Sequence, residues 1–197
     1  IGQDKAVKTA RILLKRDVSG RMIWINGPSG TGKTTLARIM AKEFAGGCPV
    51  AEIDAQDVTM EYLRDMEYDM LLSQPLVGEG RVWIVNEAHG LSGRATSRLL
   101  TLKEKMPAWA LILYTTTNAG MDLFEGAFDA HPLLSRCAKI QTTTQGFTKP
   151  AAVYAKGIAK REGMDGRPLE QYERKMYEAK GNLRELLQII DQGGMLE

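Results

Sequence analysis

A glycine-rich stretch near the start of the chain has the composition of a phosphate-binding loop. It reads GPSGTGKT, from Gly27 to Thr34, and matches the pattern Gly-x-x-x-x-Gly-Lys-Thr. Glycines let backbone N–H groups converge on phosphate oxygens, and the N-terminus of a following helix adds a positive dipole. Lys33 is expected to reach the β- and γ-phosphates, and the Thr34 hydroxyl to ligate Mg²⁺. The predicted nucleotide contacts are Gly27, Pro28, Ser29, Gly30, Thr31, Gly32, Lys33, Thr34 and Thr35.

A second stretch, VWIVNEAHG from Val82 to Gly90, has the outline of a nucleotide-hydrolysis strand. Glu87 is placed to polarise a water for attack on the γ-phosphate. Asn86 stands where an Asp usually lies near the magnesium ion. Its amide oxygen can accept a hydrogen bond from a metal-bound water, but it lacks the charge that helps to hold the ion. We therefore expect ATP binding to survive better than hydrolysis; the alternative is a buried strand without chemistry.

Short apolar segments alternate with longer amphipathic ones, which predicts an α/β domain with a mostly parallel sheet. The predicted strands are 21–26, 50–54, 81–86, 110–117 and 138–143, and the helices between them are 33–45, 59–72 and 93–105. From Gly146 onward no strand pattern remains, and helices are expected to begin near Thr148, Pro168 and Asn182. The sequence thus predicts a nucleotide-binding domain over 1–145 and a small helical subdomain over 146–197.

One Asn and two Arg residues stand out in the second half of the chain, and the Asn lies where a polar side chain could reach the γ-phosphate or the attacking water. Asn118 follows the strand LILYTTT, and Arg136 lies in HPLLSRC. Arg184 lies off the apolar face that Leu183, Leu186, Leu187 and Ile190 form in the last helix. Taken alone, each has an ordinary alternative, because an Asn after a strand is commonly a turn residue and an exposed Arg is commonly a surface residue.

Composition excludes several classes of protein. The 197 residues are 44% hydrophobic, which suits an ordinary core. No long apolar run or signal-peptide block occurs, so we expect a soluble intracellular protein without a membrane segment. Cys48 and Cys137 have no ligand-spaced companions, which argues against zinc and a disulfide framework. Residues 1–24 are mainly basic and residues 51–70 mainly acidic. The two surfaces could bind each other between subunits, or the basic one could bind a phosphate backbone. The alternative is that both are solvated helix faces.

Taken in order, these motifs resemble the AAA+ ATPases, which have a P-loop NTPase parallel-sheet domain followed by a helical lid. The similarity is greatest to the clamp-loader group, with replication factor C small subunits and the bacterial polymerase III γ subunit. Six segments of the sequence show this similarity. They are IGQDKAV, with Ile1 and Gly2, on the adenine side; GPSGTGKT as Walker A; VWIVNEAHGLS as Walker B; TTTN as sensor 1; LLSRC as the arginine-finger motif; and GNLREL as sensor 2.

The resemblance implies ATP and Mg²⁺ as cofactors, with Thr34 and Asn86 on the metal side. It implies that Arg136 acts in trans on the nucleotide of a neighbouring AAA+ subunit, whereas Arg184 acts in cis. Arg94 and Arg98 resemble the position from which clamp loaders touch the DNA backbone, and a solvated helix face is the alternative for both. The implied function is to load a sliding clamp onto primer-template DNA.

Three departures limit the resemblance. Asn86 replaces the family's Asp, the zinc-binding insertion of bacterial γ subunits is missing, and the helical collar domain is expected to be absent or truncated. The second departure favours the replication-factor type, or a phage or archaeal relative. The first leaves a second function open, an ATP-dependent assembly module with weak or no hydrolysis.

Two other AAA+ or helicase interpretations fit less well. A protein-unfolding ring needs an aromatic pore loop, and PLVGEG offers only Leu76, Val77 and Gly78. The letters NEAH suggest a DEAH-type helicase, but that family needs a second recombinase-like domain. His89 and His131 are expected to be structural.

Overall fold

The computed structural model describes residues 1–15, 20–72, 80–125 and 130–196. Leu76, Val77 and Gly78, where a pore loop would be sought, lie outside these residues. Five strands form one parallel sheet in the order β2-β3-β4-β1-β5. The strands are β1 (Arg21–Asn26), β2 (Val50–Asp54), β3 (Arg81–Asn86), β4 (Ala110–Thr116) and β5 (Cys137–Gln141).

Helices connect these strands and follow the last of them. They are α1 (Asp4–Lys15), α2 (Lys33–Ala45), α3 (Met60–Leu72), α4 (Gly93–Lys105), α5 (Asn118–Glu125), α6 (Ala130–Ser135), α7 (Thr148–Arg161), α8 (Leu169–Glu178) and α9 (Leu183–Asp191). The predicted parallel α/β architecture with helices after the sheet is confirmed. Among the described residues, no helix has the length and apolar character needed to cross a membrane.

The predicted strands and helices agree closely with the observed ones, except at the ends of β4 and β5. β4 ends at Thr116 instead of 117, and β5 covers Cys137–Gln141 instead of 138–143. Thr143 leaves the strand pattern because its backbone pairs with a side chain. Its N–H donates to Gln3 Oε1 at 3.1 Å, and its carbonyl oxygen accepts from Gln3 Nε2 at 2.7 Å.

The chain divides into two compact units. One comprises Val7–Asn26 and Lys33–Gln141, and therefore contains the whole sheet. Its core includes an aromatic stack in which the Trp24 ring lies 5.1 Å from that of Tyr114 and 5.0 Å from that of Phe124, between ring centroids. Because every strand is parallel, the carboxyl ends of all five meet at one edge of the sheet, where polar side chains can gather.

The other unit comprises Ile1–Ala6, Gly27–Gly32 and the residues from Thr142 onward. Its core lies among α7, α8 and α9, and includes Phe147, Tyr172, Met176, Leu186 and Ile190. Leu183 and Leu187 pack against this core, so the predicted apolar face of α9 is confirmed. The Asn182 side chain caps α9 by accepting a hydrogen bond from the N–H of Glu185 at 3.4 Å.

Candidate functional site

The glycine-rich loop after β1 has a backbone that requires glycine. Gly30 and Gly32 have φ values of +72° and +89°, in the region that L side chains disfavour. At Gly27 the constraint is space, because a Cβ there would lie 2.0 Å from Thr142 Oγ1. Thr31 is buried, with its hydroxyl 2.8 Å from the Pro28 carbonyl oxygen and 2.7 Å from Thr142 Oγ1. These contacts hold the loop in one shape, while Ser29 and Gly32 are exposed.

Lys33, Thr34 and Thr35 form the first turn of α2. Lys33 is only 8% exposed, which is unusual for a lysine, whereas Thr35 faces solvent. Thr34 is half-buried and donates a hydrogen bond of 3.3 Å from Oγ1 to Asn86 Oδ1. The carboxyl end of β3 therefore lies beside the start of α2, as the sequence predicts.

Asn86 is the centre of a polar cluster at the edge of the sheet. Its Oδ1 also accepts a hydrogen bond of 2.9 Å from Thr115 Oγ1 of β4. On its other side, Nδ2 donates to Glu52 Oε1 of β2 at 2.7 Å. The amide thus connects α2 and three strands, and its oxygen faces two hydroxyl groups.

Glu52 is in turn held by Arg38 of α2. Nε of Arg38 donates to Oε2 at 2.8 Å, and Nη2 donates to Oε1 at 2.9 Å. The hydrogen bonds from Arg38 lower the pKa of Glu52 below its ordinary value; partial burial opposes the shift, and the Asn86 amide adds to it. Glu52 is therefore a carboxylate at neutral pH. This pair is not among the residues predicted from the sequence, although a charged residue inside the predicted strand VAEID was a signal for it.

Glu87 follows Asn86 in a backbone conformation that is rare for a residue with a side chain. Its φ and ψ are +48° and +46°, in the left-handed region. Such strain commonly occurs at functional sites. The Glu87 side chain is 50% exposed, and Oε2 lies 3.5 Å from Nδ1 of His89. Nδ1 of His89 also lies 3.0 Å from Thr116 Oγ1, so His89 lies between the end of β4 and the candidate base.

The donor set at Asn86 suits a magnesium ion that is held partly by a nucleotide. Thr34, Thr115 and Asn86 offer oxygen atoms, the ligand type that Mg²⁺ prefers, and Mg²⁺ commonly keeps several of its waters. Among the described residues, no group of three or more His, Cys, Asp or Glu side chains forms a metal site. Because the side chains of Thr34, Thr115 and Asn86 are uncharged, the cluster fits an ion shared with phosphate groups better than an ion bound by protein alone.

Comparison with known proteins identifies the family of this chain. The sequence model of the ATPase family associated with various cellular activities (AAA) matches residues 23–141, which is more than half of the chain. The chain belongs to the AAA family of ATPases. Among solved structures, RuvB from Thermotoga maritima superposes with a TM-score of 0.70 at 19% identity, covering 97% of this chain and 61% of that one. An ORC2 protein from Aeropyrum pernix, solved as ADPNP–ADP complexes, gives a TM-score of 0.52 at 15% identity, covering 75% of this chain and 50% of that one. These two likenesses concern the fold alone.

Sequence relatives of this AAA protein include subunits of bacterial DNA polymerase III. The gamma/tau subunit of Mycoplasma genitalium is 28% identical, over 70% of this chain and 26% of the relative. The tau subunit of Bacillus subtilis is 29% identical, over 60% of this chain and 25% of the relative. The chain thus spans about a quarter of the length of these relatives. It belongs to the AAA family and is related at low identity to these subunits of DNA polymerase III.

The remaining predicted AAA+ motif residues lie at the surface. Asn118 is the exposed first residue of α5, and its side chain makes no hydrogen bond to another described residue. Arg136 is exposed just after α6 and donates from Nη1 to the Pro132 carbonyl oxygen at 3.0 Å. Arg184 is exposed on α9, in the unit that also contains Ile1 and Gly2. The hydrogen bonds and ion pairs among the described residues do not bring Asn118 or Arg136 to Glu87.

The two candidate DNA-contacting arginines of α4 differ from each other. Arg98 forms an ion pair with Glu67 of α3, which also lies 3.7 Å from the Lys105 ammonium. Arg94 is exposed and makes no ion pair with a described residue. Both line a shallow groove with Met60, Gly93, Ser97 and Thr101. Arg94 is therefore the freer of the two cations.

Proposed function

We propose that this AAA protein binds and hydrolyses ATP as a subunit of a clamp-loader-like assembly. The observation that carries the proposal is the junction of α2 with β3, where the Thr34 hydroxyl meets the Asn86 amide and Glu87 follows with an exposed carboxylate. The glycine-rich loop and the polymerase III relatives support it. In this proposal, residues 1–145 act as the nucleotide-binding domain and residues 146–197 as the lid.

The chemistry follows from the side chains. Backbone N–H groups of the loop and the Lys33 ammonium bind the phosphates, and the Thr34 hydroxyl with the Asn86 amide holds the magnesium side. When bound, Mg²⁺ neutralises negative charge on the β- and γ-phosphate oxygens. Glu87 accepts a hydrogen bond from a water and orients it toward the γ-phosphate. His89, 3.5 Å from this carboxylate, limits the directions in which Glu87 can turn.

Arg136 and Arg184 extend the proposal to assembly. Arg136 is exposed at a turn, which suits a cation delivered to the nucleotide of a neighbouring subunit. Arg184 is proposed to act on the nucleotide of its own subunit, and Asn118 on the attacking water. Two cations brought to one γ-phosphate by different bodies make subunit docking depend on ATP.

The proposed partners are other AAA+ subunits, a sliding clamp and primer-template DNA. Arg94, with Arg98 beside it, would contact the DNA backbone, so binding should be independent of sequence and sensitive to salt. A salt series with primer-template DNA and ATP tests this contact, with an Arg94→Ala variant beside the parent. Absence of binding even at low salt contradicts the DNA proposal.

The ATPase test measures phosphate release with and without DNA and candidate clamps, for the parent protein and for Arg136→Ala. We expect the parent to turn over ATP and the variant to lose the part of turnover that rises with protein concentration. Unchanged turnover in Arg136→Ala contradicts the role in trans.

One observation favours a second function, an ATP-dependent assembly module with weak or no hydrolysis. Asn86 supplies an amide where the family has a carboxylate, so less charge is available to retain the ion. Under this alternative, the parent protein binds ATP and assembles but releases no phosphate. Turnover at rates usual for AAA ATPases contradicts it.

A further inference from the structure

The contact between Glu52 and Asn86 determines which way the Asn86 amide faces. An ionised carboxylate has no hydrogen to donate, so only the NH₂ group of Asn86 can face it favourably. The hydroxyl groups of Thr34 and Thr115 can donate or accept, so they accommodate either orientation. With Nδ2 turned to Glu52 at 2.7 Å, Oδ1 is directed to Thr34 and Thr115.

Glu52 is itself well fixed for this role. Both of its oxygens accept hydrogen bonds from the Arg38 guanidinium, in the two-point geometry that gives a carboxylate a defined orientation. Its side chain is 28% exposed, whereas that of Arg38 is 63% exposed. The Arg38–Glu52 pair therefore lies at the outer side of the cluster, with Asn86 on its inner side.

We propose that Glu52 is a positioning residue, which keeps the Asn86 amide oxygen turned toward the magnesium side of the nucleotide site. This inference rests on the proposed nucleotide-binding function. A magnesium ion or its bound water needs an acceptor atom, and the NH₂ group of a rotated amide would present donors instead. Partners that orient metal ligands in this way affect metal affinity strongly although they do not touch the ion.

The contact with Glu52 also determines the expected effect of replacing Asn86 by aspartate, the residue that the family has at this position. In Asn86→Asp, a carboxylate would face Glu52 at hydrogen-bond distance, and like charges at this separation disfavour each other. Asn86 and Glu52 thus form a matched amide–carboxylate pair. Exchanging both, in Glu52→Gln with Asn86→Asp, keeps one amide and one carboxylate in contact with their positions reversed.

The test measures the affinity of the protein for a fluorescent ATP analogue in Mg²⁺ and in EDTA, and takes the ratio of the two affinities. We expect Glu52→Gln to lower this ratio by about 10- to 100-fold, the usual effect of losing an outer partner of a metal ligand. Asn86→Asp should lower it as well, and the double variant should restore most of it. Glu43→Gln, an exposed carboxylate on α2, is the matched control.

The Arg38→Met variant tests the Glu52–Asn86 contact separately from the Arg38–Glu52 contact. It removes the guanidinium but leaves Glu52 free to accept from Asn86, so it should lower the ratio less than Glu52→Gln does. The affinity in EDTA should change little in all variants, because loop and lysine contacts to phosphate remain. A purely structural role would lower both affinities together.

Several outcomes overturn the inference. One is a Glu52→Gln variant whose ratio of affinities in Mg²⁺ and in EDTA equals that of the parent. Another is a double variant whose ratio is no higher than that of the more affected single variant. A parent protein that binds the analogue equally well in Mg²⁺ and in EDTA overturns this inference while leaving nucleotide binding intact. A parent protein that binds no analogue overturns the proposed function as well, so the two failures are distinguishable.

Discussion

Gly30 of the glycine-rich loop lies directly against Asn182, the residue that caps α9. A Cβ built on Gly30 would come within 1.8 Å of Oδ1 of Asn182 and within 2.9 Å of its Cα. Both the side chain and the backbone of the cap are therefore in the way of any larger residue. The shape of the loop and the start of α9, which carries Arg184, depend on each other within one unit of the protein.

We expect Gly30→Ala to lower both stability and nucleotide affinity. A left-handed backbone costs a non-glycine residue about 1–2 kcal/mol, and displacement of Asn182 adds to this. Gly146→Ala is a matched control, because Gly146 has the same φ of +72° but nothing within 4 Å of its Cβ position. Thermal melts and titration with a fluorescent ATP analogue measure the two effects. Equal losses in the two variants would show that the contact with Asn182 contributes nothing.

Lys33→Met should weaken ATP binding while leaving the fold intact. Methionine fills a similar apolar volume at this 8% exposed position but removes the ammonium group. Loss of a hydrogen bond to a charged group costs about 1.5–3 kcal/mol, which is roughly a 10- to 100-fold loss of affinity. Calorimetric titration with ATP measures the loss. Lys42→Met, at an exposed position in the same helix, should bind as the parent does.

Glu87→Gln should bind ATP normally and hydrolyse it slowly. Glutamine keeps the size of the side chain but cannot accept a proton from the attacking water, so turnover should fall by about 10²- to 10⁴-fold. Phosphate release and ATP affinity, measured on the same preparation, check both parts. Glu61→Gln, an exposed carboxylate on α3, is the control. Turnover that persists in Glu87→Gln would exclude Glu87 as the base.

Local sequence patterns explain why most of the fold was predictable. β1 and α2 flank a glycine-rich turn, and their predicted bounds match the structure to the residue. The short helices α5 and α6 were not predicted, because eight and six residues carry too little periodicity. The contact of Glu52 with Asn86 joins residues 34 positions apart on neighbouring strands. It depends on how β2 aligns with β3, which neither segment reveals alone.

The two cysteines should differ in reactivity. Burial raises the pKa of the Cys137 thiol to about 12, with Lys103 and Lys139 opposing the shift. At pH 7–8 this thiol is therefore almost fully protonated, and the thiolate is the reactive form. We expect a thiol reagent to label one cysteine, Cys48, in the folded protein and both in denaturant. Rapid native labelling in a Cys48→Ser variant would contradict the raised pKa of Cys137.

Asp165 should make the stability of the helical unit depend on acidity. The Lys156 ammonium donates to Oδ1 and Oδ2 of Asp165 at 2.7 and 2.9 Å, and the Tyr172 hydroxyl donates to Oδ1 at 3.1 Å. These hydrogen bonds, that from Lys156 most of all, lower the pKa of Asp165 below its ordinary value, although burial opposes the shift. The folded protein therefore favours the ionised carboxylate more than the unfolded chain does.

The sign of the pH effect follows from this shift. The stabilisation from Asp165 is fully present above the ordinary aspartate pKa and is lost as the pH falls through the lowered pKa of the folded state. Asp165→Asn should melt at a lower temperature than the parent at neutral pH, and the difference should shrink as the solution is acidified. Glu170→Gln, exposed on α8, is the control for removing a carboxylate. A difference in melting temperature that stays constant from neutral to acid pH would show that the charge of Asp165 contributes nothing to stability.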